Sequence, residues 1–236
     1  MNILFIHGFG GARGPLERAL ATAAHGGPHH LFFVRWPSGD LREMRARAVV
    51  EVARRVAEKK SLPRGLMEAA LQGGRQVSEA WEQAVANVPA GAEALHQVLA
   101  STGADGKGTA IVAFSLGCRV VLHALADHVA HFRKVERVVF AASAAPASSF
   151  EALSPRIADG TEVIHVYSRK DTILDRVYPL GEGRILPSGR EPLYLPGVKN
   201  VEVVVGHRGY SSIASRLLAL ATGEESADPV ALISGE

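Results

Sequence analysis

Six short apolar runs punctuate the chain: NILFIH (2–7), LFFVRW (31–36), TAIVAF (109–114), VERVVFAA (135–142), TEVIHVY (161–167) and VEVVVG (201–206). Each is rich in Val, Ile and Phe and is bounded by Gly, Pro, Ser or Asp. Unalternated apolar runs of this length predict strands buried on both faces. Between most of them the apolar positions switch to helical spacing, as after residue 115, where Leu116, Val120, Leu122 or His123, and Ala126 or Asp127 follow turn by turn. Strands alternating with helices predict an α/β fold, with a mostly parallel six-stranded sheet covered by helices on both faces.

Residues 41–100 break this rhythm, because some sixty positions pass where one crossover helix would suffice. Leu41, Met44, Ala48, Val52 and Val56 form one helical stripe, and Leu66, Ala70, Val77, Trp81 and Val88 form a second, divided from the first by Pro63 and Gly65. Gly73 and Gly74 predict a bend in the second helix or a close backbone approach to it. AGAEALHQVLASTG, from Ala90, reads as the crossover helix into the third strand. The predicted organisation is a single domain over 1–222, a lid-like helical insertion over 41–90, and a polar tail over 223–236.

A chain of 236 residues with 47% apolar and 21% charged residues can bury one sizeable core. Lysine plus arginine total 26 against 24 acidic residues, a balance that does not point to nucleic acid as a partner. Cys118 is the only cysteine, so no internal disulfide forms, and a cytoplasmic setting is expected. The amino terminus MNILFIHGFGG has neither a basic leader nor a small-residue cleavage site, and reads as a core strand rather than a signal peptide. No run approaches the roughly 20 uninterrupted apolar residues that span a membrane.

In a parallel sheet the reactive groups gather at the carboxyl ends of the strands. The first run ends in His7-Gly8-Phe9-Gly10-Gly11. Such a turn either permits a tight reversal or aims backbone N–H groups into a cavity, as half of an oxyanion hole. The third ends in Ala113-Phe114-Ser115-Leu116-Gly117 and leads straight into a helix. That context fits a nucleophile elbow with alanine in place of the first glycine, and equally fits a serine capping a helix. Asp171 follows the fifth strand, with Asp175 four positions on, and His207 follows the sixth. Of ten histidines, only His7 and His207 stand at strand ends. Ser115, Asp171 and His207 come in the order nucleophile, acid, base used by α/β-hydrolases.

The segments LFIHGF, VRWPS, AGAEALHQVLA, AFSLGCRVV, VERVVFAASA, VYSRKDTIL and GVKNVEVVVGHRGY also resemble, in order and spacing, the α/β-hydrolase-like domain of the transmembrane and coiled-coil domain family, a domain of unknown function. The resemblance spans most of residues 1–215 and implies a serine-hydrolase scaffold with Ser115, Asp171 and His207 at its nucleophile, acid and base positions. Ala113 stands where that family has glycine, and Pro37, rather than an acidic residue, follows Trp36. Charges interrupt both helices of the insertion, so membrane spanning does not carry over.

The chemistry expected is acyl ester hydrolysis through a Ser-His-Asp triad, with Phe9 and Leu116 N–H groups as the oxyanion hole. A small-molecule acyl ester or lipid is the expected substrate, with Gly8, Trp36, Met44 and Trp81 as candidate contacts. The basic first helix of the insertion leaves a peripheral membrane contact open. A hydrolase-fold binding module that recruits a partner through the insertion is the alternative. No cofactor is expected: there is no metal-ligand spacing, and the glycines of HGFGGARG do not match a dinucleotide fingerprint.

Overall fold

The computed structural model describes residues 1–10, 13–39, 78–102, 108–127, 135–176, 178–182 and 185–224. Its strands are β1 (Asn2–Ile6), β2 (His30–Val34), β3 (Thr109–Phe114), β4 (Val135–Ala141), β5 (Glu162–Tyr167) and β6 (Val198–Glu202). They form one sheet in the order β2-β1-β3-β4-β5-β6, and every neighbouring pair is parallel. The mostly parallel sheet expected from the apolar runs is thus parallel throughout the described strands. Ile6 lies opposite Ala113, Phe114 opposite Ala141, and Tyr167 opposite Glu202, so the strands end nearly level and their loops meet on one edge.

Helix α1 (Pro15–Ala24) packs against α4 (Ala214–Thr222), while α2 (Val88–Thr102) packs against α3 (Gly117–Asp127). These pairs supply the helix layers on the two faces. Coverage explains the sequence pattern: β1 is buried at all five positions, and β3 at all but Phe114. The edge strands are far less covered: β2 alternates exposed with half-buried positions before buried Val34, β6 buries only Val201, and Phe32 on β2 remains partly in solvent.

One boundary differs from the sequence reading. The sixth strand is Val198–Glu202, whereas the apolar run lies at 201–206. The reason is its partner, since β5 ends at Tyr167, opposite Glu202, and the last backbone bond is from the Val203 N–H to the Tyr167 carbonyl at 2.9 Å. Beyond that point no neighbouring strand remains to pair with, and Val204 and Val205 continue as loop towards His207.

Residues 78–86 are helical and α2 begins at Val88, two positions ahead of the predicted crossover segment. Pro89, in the first turn of α2, lacks an N–H only where none is needed. The predicted insertion up to residue 77, with Met44, lies outside the described residues. Among the described residues no helix is long and apolar enough to cross a membrane.

Candidate active site

Ser115 sits at the turn between β3 and α3 with φ of 56°, a left-handed conformation that serine seldom adopts. Such a backbone costs about 1–3 kcal/mol and persists only where its surroundings impose it. Here they do. The Ser115 N–H continues the sheet to the Ala141 carbonyl at 2.9 Å, and its carbonyl accepts from Ala144 and Cys118 at 3.2 and 3.1 Å. A Cβ on Gly117 would lie 2.5 Å from the Ile6 carbonyl oxygen, so the chain leaving the turn is pressed against β1. Ala113, buried between Ile6 and Phe140, accommodates its methyl group within the sheet. A helix-capping serine would have extended backbone; the positive φ of Ser115 does not fit that reading.

The loop after β1 meets this turn directly. A Cβ on Gly8 would fall 2.5 Å from Ser115 Cβ and 3.0 Å from its Oγ, so only glycine lets the loop lie there. Three groups hold the loop from the β2 side: Trp36 Nε1 donates to the His7 carbonyl at 2.9 Å, the Gly10 N–H donates to the Ser38 carbonyl at 3.1 Å, and the Trp36 ring stacks on His7 at 5.8 Å. His7 Nδ1 lies 3.0 Å from the Gly8 carbonyl and 3.2 Å from Ser38 Oγ. Burial lowers the His7 pKa, which favours the neutral ring. Among the described residues, neither the Phe9 N–H nor the Leu116 N–H has an acceptor.

Asp171 and His207 come together at the ends of β5 and β6. His207 Nδ1 is 2.7 Å from Asp171 Oδ2, while Asp171 Oδ1 accepts the N–H groups of Ile173 and Leu174 at 3.1 and 3.0 Å, capping the short helix Thr172–Arg176. The carboxylate is fully buried and surrounded by donors. With Nδ1–H pointing at Asp171, the neutral imidazole leaves Nε2 as an acceptor. The His207 ring packs 4.8 Å from Phe114, the residue before Ser115, which brings strand ends β3 and β6 together. Tyr210, on the same 3-10 turn as His207, packs 5.4 Å from Phe114 on the buried side. Burial, then the charge of Asp171, hold its hydroxyl pKa above the usual range. Asp175, the other candidate acid, pairs instead with Arg190.

The thiol of Cys118 is the other potential nucleophile near the turn, but burial pushes it up to about 12. Its Sγ faces the Ala113 carbonyl at 3.5 Å, so it is a protonated core group. Among the described residues no cluster of three or more His, Cys, Asp or Glu could hold a metal ion.

The candidate contact residues divide. Gly8 touches Ser115, Trp36 lies under the His7 loop, and Met44 is outside the described residues. Trp81 is buried, packing edge-on against Phe9 at 5.7 Å and against Tyr178 at 5.8 Å. Residues that the sequence reading missed complete this wall. Arg119, in the first turn of α3, lies over both Trp81 and Tyr178 and pairs with Glu182 at 2.8 Å. Tyr178 and Glu182 follow Asp171 by 7 and 11 positions, and no local pattern marks them out.

No curated protein matches the chain. Among solved structures, a crystal structure from Xanthomonas campestris, described as a candidate hydrolase of the alpha/beta superfamily, is similar at 16% identity and a TM-score of 0.45, with 95% of this chain and 99% of that one covered. The fold described above is α/β, a six-stranded parallel sheet with helices packed against it. A family model described as protein of unknown function, DUF726, matches residues 52–222, nearly three quarters of the sequence, and the chain belongs to that family.

Proposed function

We propose that this chain is a serine hydrolase that cleaves an acyl ester through a covalent acyl-enzyme. One observation carries the reading: Ser115 is held at a positive φ against Gly8, while His207, bound to buried Asp171, packs on the adjoining Phe114. Strained backbone at a serine between a strand and a helix is the mark of a nucleophile elbow.

In this mechanism His207 Nε2 removes the Ser115 hydroxyl proton as Oγ bonds to the ester carbonyl carbon. The carbonyl π electrons move to oxygen, and the N–H groups of Phe9 and Leu116 receive the oxyanion. Each such donor is worth about a hundredfold to a thousandfold in rate. Collapse breaks the bond to the alkoxide, which takes the proton from His207 and leaves. Water then repeats the sequence on the acyl-serine, releasing the acid and restoring the serine. Asp171 stays ionised, fixes the imidazole tautomer and stabilises the imidazolium.

A fluorophosphonate probe tests the proposal. One adduct per chain, located on Ser115 and lost in Ser115→Ala, is the expected result. An unlabelled wild-type protein, or equal labelling of the alanine variant, overturns it.

A further inference from the structure

The stretch 78–87, ahead of α2, reaches the His7–Gly10 loop at one point and the neighbouring loop after β2 at another. Trp81 sets its ring edge-on to Phe9, and Asn87 Nδ2 donates 2.8 Å to the Pro37 carbonyl, in the β2 loop that carries Trp36 and Ser38. Trp81 is itself fixed. Its indole N–H donates to Glu182 Oε1 at 2.8 Å, the same oxygen that Arg119 engages at 2.8 Å. Arg119 in turn donates from Nε to the Ala144 carbonyl at 2.7 Å, and Ala144 gives its N–H to the Ser115 carbonyl at 3.2 Å. Gly39 also lies against the Phe9 ring, where a Cβ would come 2.8 Å from it.

Trp81 and Gly39 therefore both meet one phenyl ring, and that ring belongs to the residue whose backbone N–H faces the reacting carbonyl in the proposed mechanism. A buried indole with both its ring and its N–H committed has little freedom to tilt. Displacing it opens one wall of the Phe9 pocket, and as Phe9 repacks the loop backbone can shift and move its peptide N–H. Donors act on a developing oxyanion only when aimed within a few tenths of an ångström, and misplacement by about 1 Å costs about a hundredfold.

We infer that Trp81, anchored by Glu182 and Arg119, is a positioning residue for the Phe9 half of the oxyanion hole, so that the orientation of the helical stretch 78–86 sets the turnover rate. The inference rests on the serine-hydrolase reading. It assigns Trp81 a role through Phe9 rather than through contact with substrate.

The test uses the full chain, a short-chain 4-nitrophenyl ester, and titration of competent sites with the fluorophosphonate. Trp81→Ala and Trp81→Phe are compared with Phe9→Ala, which keeps the peptide N–H and removes the ring. The expected result is a fall in kcat of about tenfold to a hundredfold per competent site for Trp81→Ala, with KM within about twofold of wild type. Trp81→Phe recovers part of the loss, and Phe9→Ala combined with Trp81→Phe is no worse than Phe9→Ala alone, because both changes open one contact. A lower melting temperature with unchanged kcat per titrated site would mark Trp81 as a packing residue only and overturn the inference. A rise in KM with kcat preserved would assign Trp81 to substrate contact and overturn it as well. Should Trp81→Ala not fold, Trp81→Phe and Phe9→Ala decide through the same coupling. Wild-type protein that neither turns over nor labels removes the serine reading itself, an outcome distinct from labelled protein with an indifferent Trp81.

Discussion

Replacing Gly8 by alanine puts one methyl group against the candidate nucleophile. A carbon at that position lies 2.5 Å from Ser115 Cβ, against an ordinary contact of about 3.5–4.0 Å, so roughly 1 Å must be found. Ser115 cannot supply it, because its N–H is tied to Ala141 and the following turn is wedged at Gly117 against β1. The loop must yield instead, against the Trp36 bond to His7 and the Gly10 bond to Ser38. Forcing an extra methyl into packed surroundings costs about 1–3 kcal/mol. At about 2–4 °C per kcal/mol for a domain of this size, the midpoint of thermal unfolding falls by roughly 2 to 12 °C. The Phe9 N–H moves with the loop, and a 1 Å error at the donor is worth about a hundredfold in rate, or about 2.7 kcal/mol of transition-state stabilisation. Circular dichroism melts and stopped-time fluorophosphonate labelling measure the two effects separately. A Gly8→Ala protein that melts and labels like wild type would refute both the packing and the oxyanion argument.

Two further outcomes follow, one from Ser115 and one from a buried histidine of β5. The positive φ of Ser115 costs about 1–3 kcal/mol that glycine does not incur, set against up to about 1 kcal/mol of extra chain entropy. Taking the middle of the first range, about 2 kcal/mol, against about 1, Ser115→Gly should melt about 2–4 °C above Ser115→Ala, both being unlabelled; the reverse order in calorimetry would contradict the strain. His165, buried in β5 between Phe150 and Tyr167, has its pKa lowered by burial from 6.5 to about 4. The unfolded chain then binds a proton that the folded one refuses, so stability falls as pH drops from about 6.5 to about 4, by up to about 3 kcal/mol. His165→Phe, which leaves Asn200 Oδ1 satisfied by the Leu193 N–H at 2.8 Å, should flatten urea-derived stability across that window; an unchanged slope would refute the assignment.

How much of this was legible depended on whether a residue's surroundings lay nearby in sequence. The inner strands announced themselves because both faces are covered, and Ser115, Asp171 and His207 stood out because each follows its own strand. The edge strand β6 was misplaced by three residues at its start, since its limits come from where β5 stops and not from its own apolar run. The support for Phe9 could not be read at all: Trp81 and Glu182 are 101 positions apart and meet only through the fold. The φ of Ser115 was foreshadowed by small residues alone, and becomes an observation only once Gly8 and Gly117 are seen pressed against it.

Asp171 holds two offices with one carboxylate, since Oδ1 starts a helix and Oδ2 faces the imidazole. Loss of an N-cap typically costs about 1 kcal/mol, whatever becomes of the chemistry. In a relative that has lost its activity, Ser115 is free to drift and even gains stability as glycine, whereas the aspartate is retained by the fold. Survival of the acid in related chains is thus poor testimony to turnover, and the residue at position 115 is the better witness.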